Sequence, residues 1–384
     1  MKTVLKKYLS SYLNYWAMSA YRRFKPYVIG ITGSSGKTTT KYFISQLLKS
    51  ADKKTYLSAT NLNTRFGLPL AILLIDNAPK NIIGWFAIVL LVPLKAILLK
   101  NYPDYLVLEY AADSPGDIKK LTELVSPEIA VITTLGVAHI EIFKNEQKII
   151  DEKSELAEAS KEYVIVPAKV YKKIKGKKIT ARVVIAEQVP FLRFENIKQN
   201  TKGTDLTIVL NEKKYKKTFS FAGEHNIDNL RLSILAAYYA GAGRKLVEGI
   251  EKLGPLPGRG RRIIGKKEIM IIDESYNANP ESMYAALQNL NNIKYGRKVA
   301  ILGEMKEISP ISSKAHLEIS TVATKLADVV IGVGAGFKEC KLDKWYPNVR
   351  ELKGEIEDIL IKGDVVLLKG SRSNKLEEAI ELIK

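Results

Sequence analysis

The sequence has one cysteine, Cys340, in 384 residues, so it can form no disulfide within itself; this suits a reducing compartment. No long low-complexity tract is present, and the 46% hydrophobic content is ample for folded cores. No small-residue cleavage site follows an apolar run near the start, so no secretory signal is expected. Helix-turn-helix, RNA-recognition and zinc-finger patterns are missing, which argues against a nucleic-acid partner. There is also no uninterrupted apolar run long enough to cross a bilayer. The longest, "IIGWFAIVLLVPLKAILLK" (82–100), is broken by Pro93 and Lys95 and is read as a buried or interfacial helical hairpin.

Acidic residues are in deficit. The chain has 41 Asp+Glu against 60 Lys+Arg, a formal charge of +19. Such a field attracts polyanions such as nucleotides or an anionic membrane, although lysines spread through Ile/Lys-rich stretches also serve plain solubility. In residues 1–26, Leu5, Leu9, Leu13 and Trp16 recur at helical spacing among basic residues, and Pro26 ends the helix. This amphipathic helix either packs on the domain that follows or lies on a membrane surface.

The length favours two or three domains. Between 27 and 253, short apolar strands ("VIGIT", "YLVLEY", "IAVITTL", "YVIVP") alternate with helices, the pattern of a parallel α/β sheet covered on both faces. Residues 177–222 alternate instead: "ARVVIAE", "TDLTIVLN" and "KKYKKTFSF" read as a small antiparallel insertion. "GEHNIDNLRLSILAAYYAGA" reads as a capped helix, and "GPLPGRGRR" (254–262) as a linker. Residues 263–384 form a second, Rossmann-like α/β domain with strands "IMIID", "KVAIL", "VVIGVG" and "VVLLKG".

"GITGSSGKTTT" carries the first chemistry. Gly33 and Gly36 let the backbone approach phosphate oxygens, and the amides of the following helix point at the anion. Lys37 reaches the terminal phosphates, and the Thr38 hydroxyl suits Mg²⁺. Ser34, Ser35 and Thr39 complete the expected contacts. The usual loop has glycine five residues before Gly36; here that position is Ile31, so the loop is a variant. The motif specifies a nucleoside triphosphate but leaves the reaction open.

Later segments narrow it. "TNLNTRFGLPLAIL", "LVLEYAADSPGDI", "TTLGVAHIEIF", "DEKSELAEA", "GEHNIDNLRLSILAA", "GRGRR", "IIDESYNANPESMYAAL", "GEMKEI" and "LLKGSRSNKLEE" follow in the order found in the Mur ligase family, which the chain resembles over about residues 27–384. The loop, "YNANP" and "KGSRS" look most like the member that adds D-alanyl-D-alanine to UDP-MurNAc-tripeptide. The resemblance implies an ATP-dependent ligase of cell-wall synthesis. It would transfer the γ-phosphate to a carboxylate and let an amine attack the acyl phosphate. Such a catalyst must bring anions together and neutralise developing charge.

The resemblance also implies roles for individual residues. Glu109, ending "YLVLE", would bind Mg²⁺, and His139 would sit near a second Mg²⁺. Lys153 matches a lysine often carbamylated, a change that turns a cation into an anion able to orient the metal. Asn226, Asn277 and Asn279 are candidates for the base, and Asp273 for the ribose or phosphate end. Arg259 resembles an arginine that reaches the γ-phosphate on domain closure. Lys369, Ser371 and Arg372, with help from His316, would grip the amino substrate. Taken singly, Glu109 reads as a surface carboxylate, His139 as a polar strand-end residue and Lys153 as an ordinary helix lysine.

The family usually carries a further N-terminal domain that holds the UDP-sugar. The 26 residues before the first strand are too short to bury such a core, which leaves the acceptor open. A lipid-linked, pseudomurein-type or polyglutamate-like acceptor is the alternative, as is an ATP-gated binding protein without ligation. A cytoplasmic monomer is expected, free or working at the inner face of the membrane.

Overall fold

The structure is a computed structural model. It describes residues 2–58, 60–79, 81–136, 140–200, 203–221, 223–254, 256–306, 308–309 and 311–384, with backbone alone at 2–4 and 140. His139 therefore lies outside the described residues. The chain forms two compact units: 1–135, 147–191 and 228–252 make the first, and 136–146, 192–227 and 253–384 the second.

The elements of the first half are α1 (Lys2–Phe24), β1 (Tyr27–Thr32), α2 (Lys37–Ser50), β2 (Thr55–Tyr56), α3 (Gly67–Ile72), α4 (Ile82–Leu98), β3 (Tyr105–Glu109) and α5 (Asp117–Leu124). There follow β4 (Ile129–Ile132), α6 (Ile140–Phe143), α7 (Glu146–Glu158), β5 (Tyr163–Val166), α8 (Ala168–Ile174) and β6 (Arg182–Ile185). The first unit's sheet runs β2-β3-β1-β4-β5-β6, parallel throughout. β4 is buried at every residue and β1 at all but its first, which is why these strands read as continuous apolar runs.

Two expectations are corrected here. "ARVVIAE" holds β6, which pairs parallel with β5 (Val164 beside Val183) and closes the edge of this sheet. An edge strand half open to solvent alternates as an antiparallel strand does, so periodicity alone misplaced it. Residues 82–98 form one helix, not a hairpin, and most of it is exposed. Pro93 lies inside α4 and cannot donate to the Val89 carbonyl. The Tyr12 hydroxyl of α1 donates to that oxygen instead, at 2.8 Å. Arg23 caps the last turn by donating to the Ile97 carbonyl at 2.9 Å. Leu13, Ala17 and Ala20 are the buried line of α1, which packs on α3 and α4.

In the second half come β7 (Leu192–Asn200), β8 (Gly203–Leu210), β9 (Lys213–Phe219), α9 (Glu224–Ala237), β10 (Arg261–Ile264), β11 (Met270–Glu274) and α10 (Pro280–Asn291). The chain ends with β12 (Lys298–Gly303), α11 (Ser312–Leu326), β13 (Val329–Val333), β14 (Lys344–Tyr346), α12 (Val349–Ile359), β15 (Val365–Lys369) and α13 (Glu377–Ile383). β8 and β9 are two of the expected antiparallel strands; the third is β7, which was not read from the sequence, and β7-β8-β9 groups with the second unit. The main sheet there is β10-β11-β15-β12-β13-β14, parallel except for β10. Alternate strand residues feed two cores, as the strand period of two requires. Ala300, Leu302 and Leu367 pack with α10 and α11, whereas Val299, Ile301 and Leu368 pack with α12 and α13.

Candidate active site

In the first unit, β1 delivers its C-terminal end straight into the phosphate loop. Gly36 has φ 84°, a left-handed conformation that disfavours a side chain, and a Cβ there would lie 2.6 Å from Asn229 Oδ1. Asn229, on α9, accepts from the Thr40 hydroxyl at 3.3 Å and so ties α9 to the first turn of α2. Thr134 holds the other side: its carbonyl accepts from the Ser34 amide and its hydroxyl from the Ser35 amide, both at 2.9 Å. Two of the loop's amides are thus engaged from β4's end. An anion would meet the loop from Gly36 onward, at the N-terminus of α2.

Two lysines meet at one oxygen. The Gly33 carbonyl accepts from Lys37 Nζ at 2.7 Å and from Lys153 Nζ at 3.2 Å. Lys153 is buried on α7. Burial, with Lys37 close by, lowers its pKa from the ordinary lysine value to about 7, against a smaller opposing pull from Glu152. Glu152 itself accepts from the Gly116 and Ile118 amides at 2.6 and 2.7 Å, capping α5 and fixing α7. An amine that is partly neutral near pH 7 is what carbamylation by CO₂ requires.

One turn along α2 from Lys37 stands a pair that sequence reasoning half missed. Glu109, ending β3, is 2% exposed, and Lys41 Nζ lies 3.3 Å from its Oε1. The contact lacks hydrogen-bond geometry: Glu109 Oε1 is buried without a hydrogen bond, as is Thr32 Oγ1 at the end of β1. Lys41 donates instead to Ser58 Oγ at 3.2 Å, and Asn63 Nδ2 lies 3.5 Å from Glu109 Oε2. A buried carboxylate oxygen without a hydrogen bond, at the C-terminal end of a sheet strand, fits a hard divalent cation that takes its other oxygens from phosphate and water. Lys41 and Asn63 were overlooked because a lysine in a basic chain and an asparagine in a loop carry no periodic signal.

The second unit holds the remaining candidates. Arg259 lies over the Tyr276 ring, 3.9 Å from guanidinium carbon to centroid, and Arg372 sits over the same ring at 5.5 Å. Glu274 receives Lys369 Nζ at 3.1 Å, with His225 Nε2 at 3.8 Å. Burial pushes the Glu274 carboxyl up, but Lys369, His225 and Arg259 outweigh it and hold its pKa below the ordinary value. Glu274, His225 and Tyr276 were not picked out from sequence. Asn226 is buried in the first turn of α9, and a Cβ at Gly260 would lie 3.4 Å from its Nδ2.

Several candidates have evident structural work. Both oxygens of Asp273 are engaged: Oδ2 accepts from the Gly258 amide at 2.9 Å, and Oδ1 from the Ser275 amide and hydroxyl at 3.1 and 2.6 Å. It shapes the turn that carries Arg259. Asn279 caps α10 in a reciprocal box with Ser282, and Asn277 Oδ1 accepts from the Ala278 amide. Ser371 Oγ accepts from the Lys306 amide at 2.8 Å. His316 is fully buried: its Nε2 accepts from the Met305 amide at 2.9 Å and its Nδ1 donates to the Ser312 carbonyl at 2.7 Å. It braces the 304–306 loop.

Comparison with known proteins agrees with this geometry. Residues 31–237 match the family described as the Mur ligase middle domain, and 258–372 the Mur ligase glutamate ligase domain. A UDP-N-acetylmuramoyl-tripeptide–D-alanyl-D-alanine ligase of Bacillus subtilis is 28% identical over 377 residues, which cover 92% of this chain and 75% of that protein. Among solved structures, MurF ligase from Thermotoga maritima in complex with ADP superposes with TM-score 0.81 at 24% identity, covering 97% of this chain and 83% of that one. A pseudomurein peptide ligase type C from Methanothermus fervidus superposes with TM-score 0.68 at 19% identity, over 94% and 79% of the two chains.

Proposed function

This chain belongs to the Mur ligase family and is an ATP-dependent acid–amino-acid ligase; from that premise we propose the substrates and the part each residue plays. The substrates are UDP-MurNAc-tripeptide and D-alanyl-D-alanine, joined through an acyl phosphate in peptidoglycan synthesis. The observation that carries this reading is the convergence of Lys37 and Lys153 on Gly33 beside the buried Glu109.

The loop from Gly36 to Thr39 cradles the β- and γ-phosphates, and Lys37 leaves the Gly33 carbonyl to neutralise the charge that builds as the phosphoryl group moves. Glu109 and Thr38 would hold one Mg²⁺, and His139 with a carbamylated Lys153 a second; bound there, Mg²⁺ would supply charge withdrawal from the phosphate oxygens. Arg259 is held by Tyr276 until the phosphates arrive, and its planar fork then suits their oxygens. Asn226 takes the base. Lys369 and Arg372 position the amine-bearing substrate, with Lys369 anchored by Glu274.

The test is ADP release with Mg-ATP and both substrates, each omitted in turn, with the product weighed by mass spectrometry. Release that needs both, with the ligated mass, is expected; Lys37→Ala should lower it about a thousandfold. ATP turnover without ligated mass would sink the reading. A second reading, the same ligation on a lipid-linked acceptor at the inner membrane face, draws support from the exposed apolar surface of α4.

A further inference from the structure

α4 displays apolar side chains where a surface helix of a globular unit carries charge. Ile82, Ile83, Phe86, Leu90, Leu91, Leu94, Ile97 and Leu98 are all exposed, from 48% to 83%. Its buried line is only Ile88, Val92 and Ala96. Its one charged residue, Lys95, has its amine engaged, donating to the Leu74 carbonyl at 2.6 Å. The neighbouring α1, tied to α4 through Tyr12 and Arg23, adds exposed Leu5, Tyr8 and Tyr15. So large an uncharged patch marks an interaction surface.

Charge says what covers it. Residues 1–26 and 77–103 together hold nine Lys or Arg and no Asp or Glu. Arg22, Arg23, Lys25 and Lys100 are exposed where α1 and α4 end, and Arg23 reaches α4 itself. Two copies meeting on this face would bring those cations together, whereas anionic lipid headgroups would neutralise them. Trp16, Tyr12 and Tyr15 cluster along α1 with ring centroids 5.2 to 6.5 Å apart, the residue types favoured at membrane interfaces. No helix among the described residues is long and apolar enough to cross a membrane, so α4 would lie in the interface plane rather than span it.

We infer that α4, flanked by α1, is a docking face for an anionic lipid bilayer. The inference stands apart from the ligase reading, because it needs only this surface. Flotation of the full chain with vesicles tests it: phosphatidylcholine alone, or mixed with phosphatidylglycerol, at low and high salt. Binding to the anionic vesicles at low salt is expected, weakened by salt and much weaker on the neutral ones. The variant Phe86→Glu/Leu90→Glu/Leu94→Glu should lower the bound fraction about tenfold or more, since three exposed apolar side chains no longer enter the lipid. Its thermal unfolding should match wild type, because these positions touch solvent. Arg22→Gln/Lys100→Gln should lose part of the salt dependence while keeping the fold. No binding of wild type to anionic vesicles at low salt overturns the inference, as does equal binding by the folded triple variant. A dimer in sedimentation that the triple variant abolishes, with no vesicle binding, would assign the face to a second copy.

Discussion

Lys153 Nζ lies 3.2 Å from the Gly33 carbonyl, the oxygen that also accepts from Lys37. Burial, with the Lys37 charge beside it, lowers the Lys153 pKa to about 7. Two measurements follow from that. Protein equilibrated with ¹³C-bicarbonate should show a carbamate resonance that Lys153→Ala lacks. Without the modification, the unfolded chain binds a proton that the folded chain does not between pH 7 and the ordinary lysine range. Stability should therefore rise with pH across that window, and Lys153→Met should flatten the rise.

The Lys41–Glu109 pair is buried on both sides, with side chains 4% and 1% exposed. Lys41→Met leaves Glu109 an uncompensated buried charge and should cost about 3–5 kcal/mol in urea unfolding. Lys41→Met/Glu109→Leu should recover much of that loss. Mg²⁺ should raise the melting temperature of Lys41→Met more than that of wild type. A single variant as stable as wild type would show that the pair is not a closed ion pair in solution.

Glu274 carries a depressed pKa because Lys369, His225 and Arg259 together outweigh its burial. Its stabilising effect is therefore present above the ordinary glutamate pKa and is lost as pH falls through the folded value. Lys369→Met should move acid unfolding of the chain to higher pH. Acid curves that coincide for the two proteins would count against the pairing.

His316 has both ring nitrogens occupied and no exposed surface. Burial lowers its pKa, so it stays neutral. His316→Leu strands the Met305 amide and should cost about 1–3 kcal/mol. The KM for the amino substrate should change little once turnover is corrected for folded fraction. A large KM change in stably folded protein would restore it as a substrate contact.

The phosphate loop and the strand that feeds it were readable because their chemistry is contiguous: "GITGSSGKT" sets the turn, the glycines and the lysine within one stretch. The repeated apolar strands gave the parallel sheets for the same local reason. The partners of Glu109 were not readable, since Lys41 and Asn63 reach it only through the β1–β3 pairing and the packing of α2 on β3. Asp273, Asn279 and His316 close a turn, a helix end and a loop through hydrogen bonds that no spacing rule predicts.

By itself the sequence determined part of the local backbone: the apolar strands of the two parallel sheets, where the phosphate loop turns, and that 82–98 is apolar and helical. Only the tertiary structure decided which side chains are buried against which. Burial depends on neighbours remote in sequence, and so does pKa. A lysine exposed on a helix face keeps its ordinary pKa, whereas burial lowers that of Lys153. The same apolar helix is core in one setting and an open surface in another, and α1 with α3 leaves most of α4 uncovered.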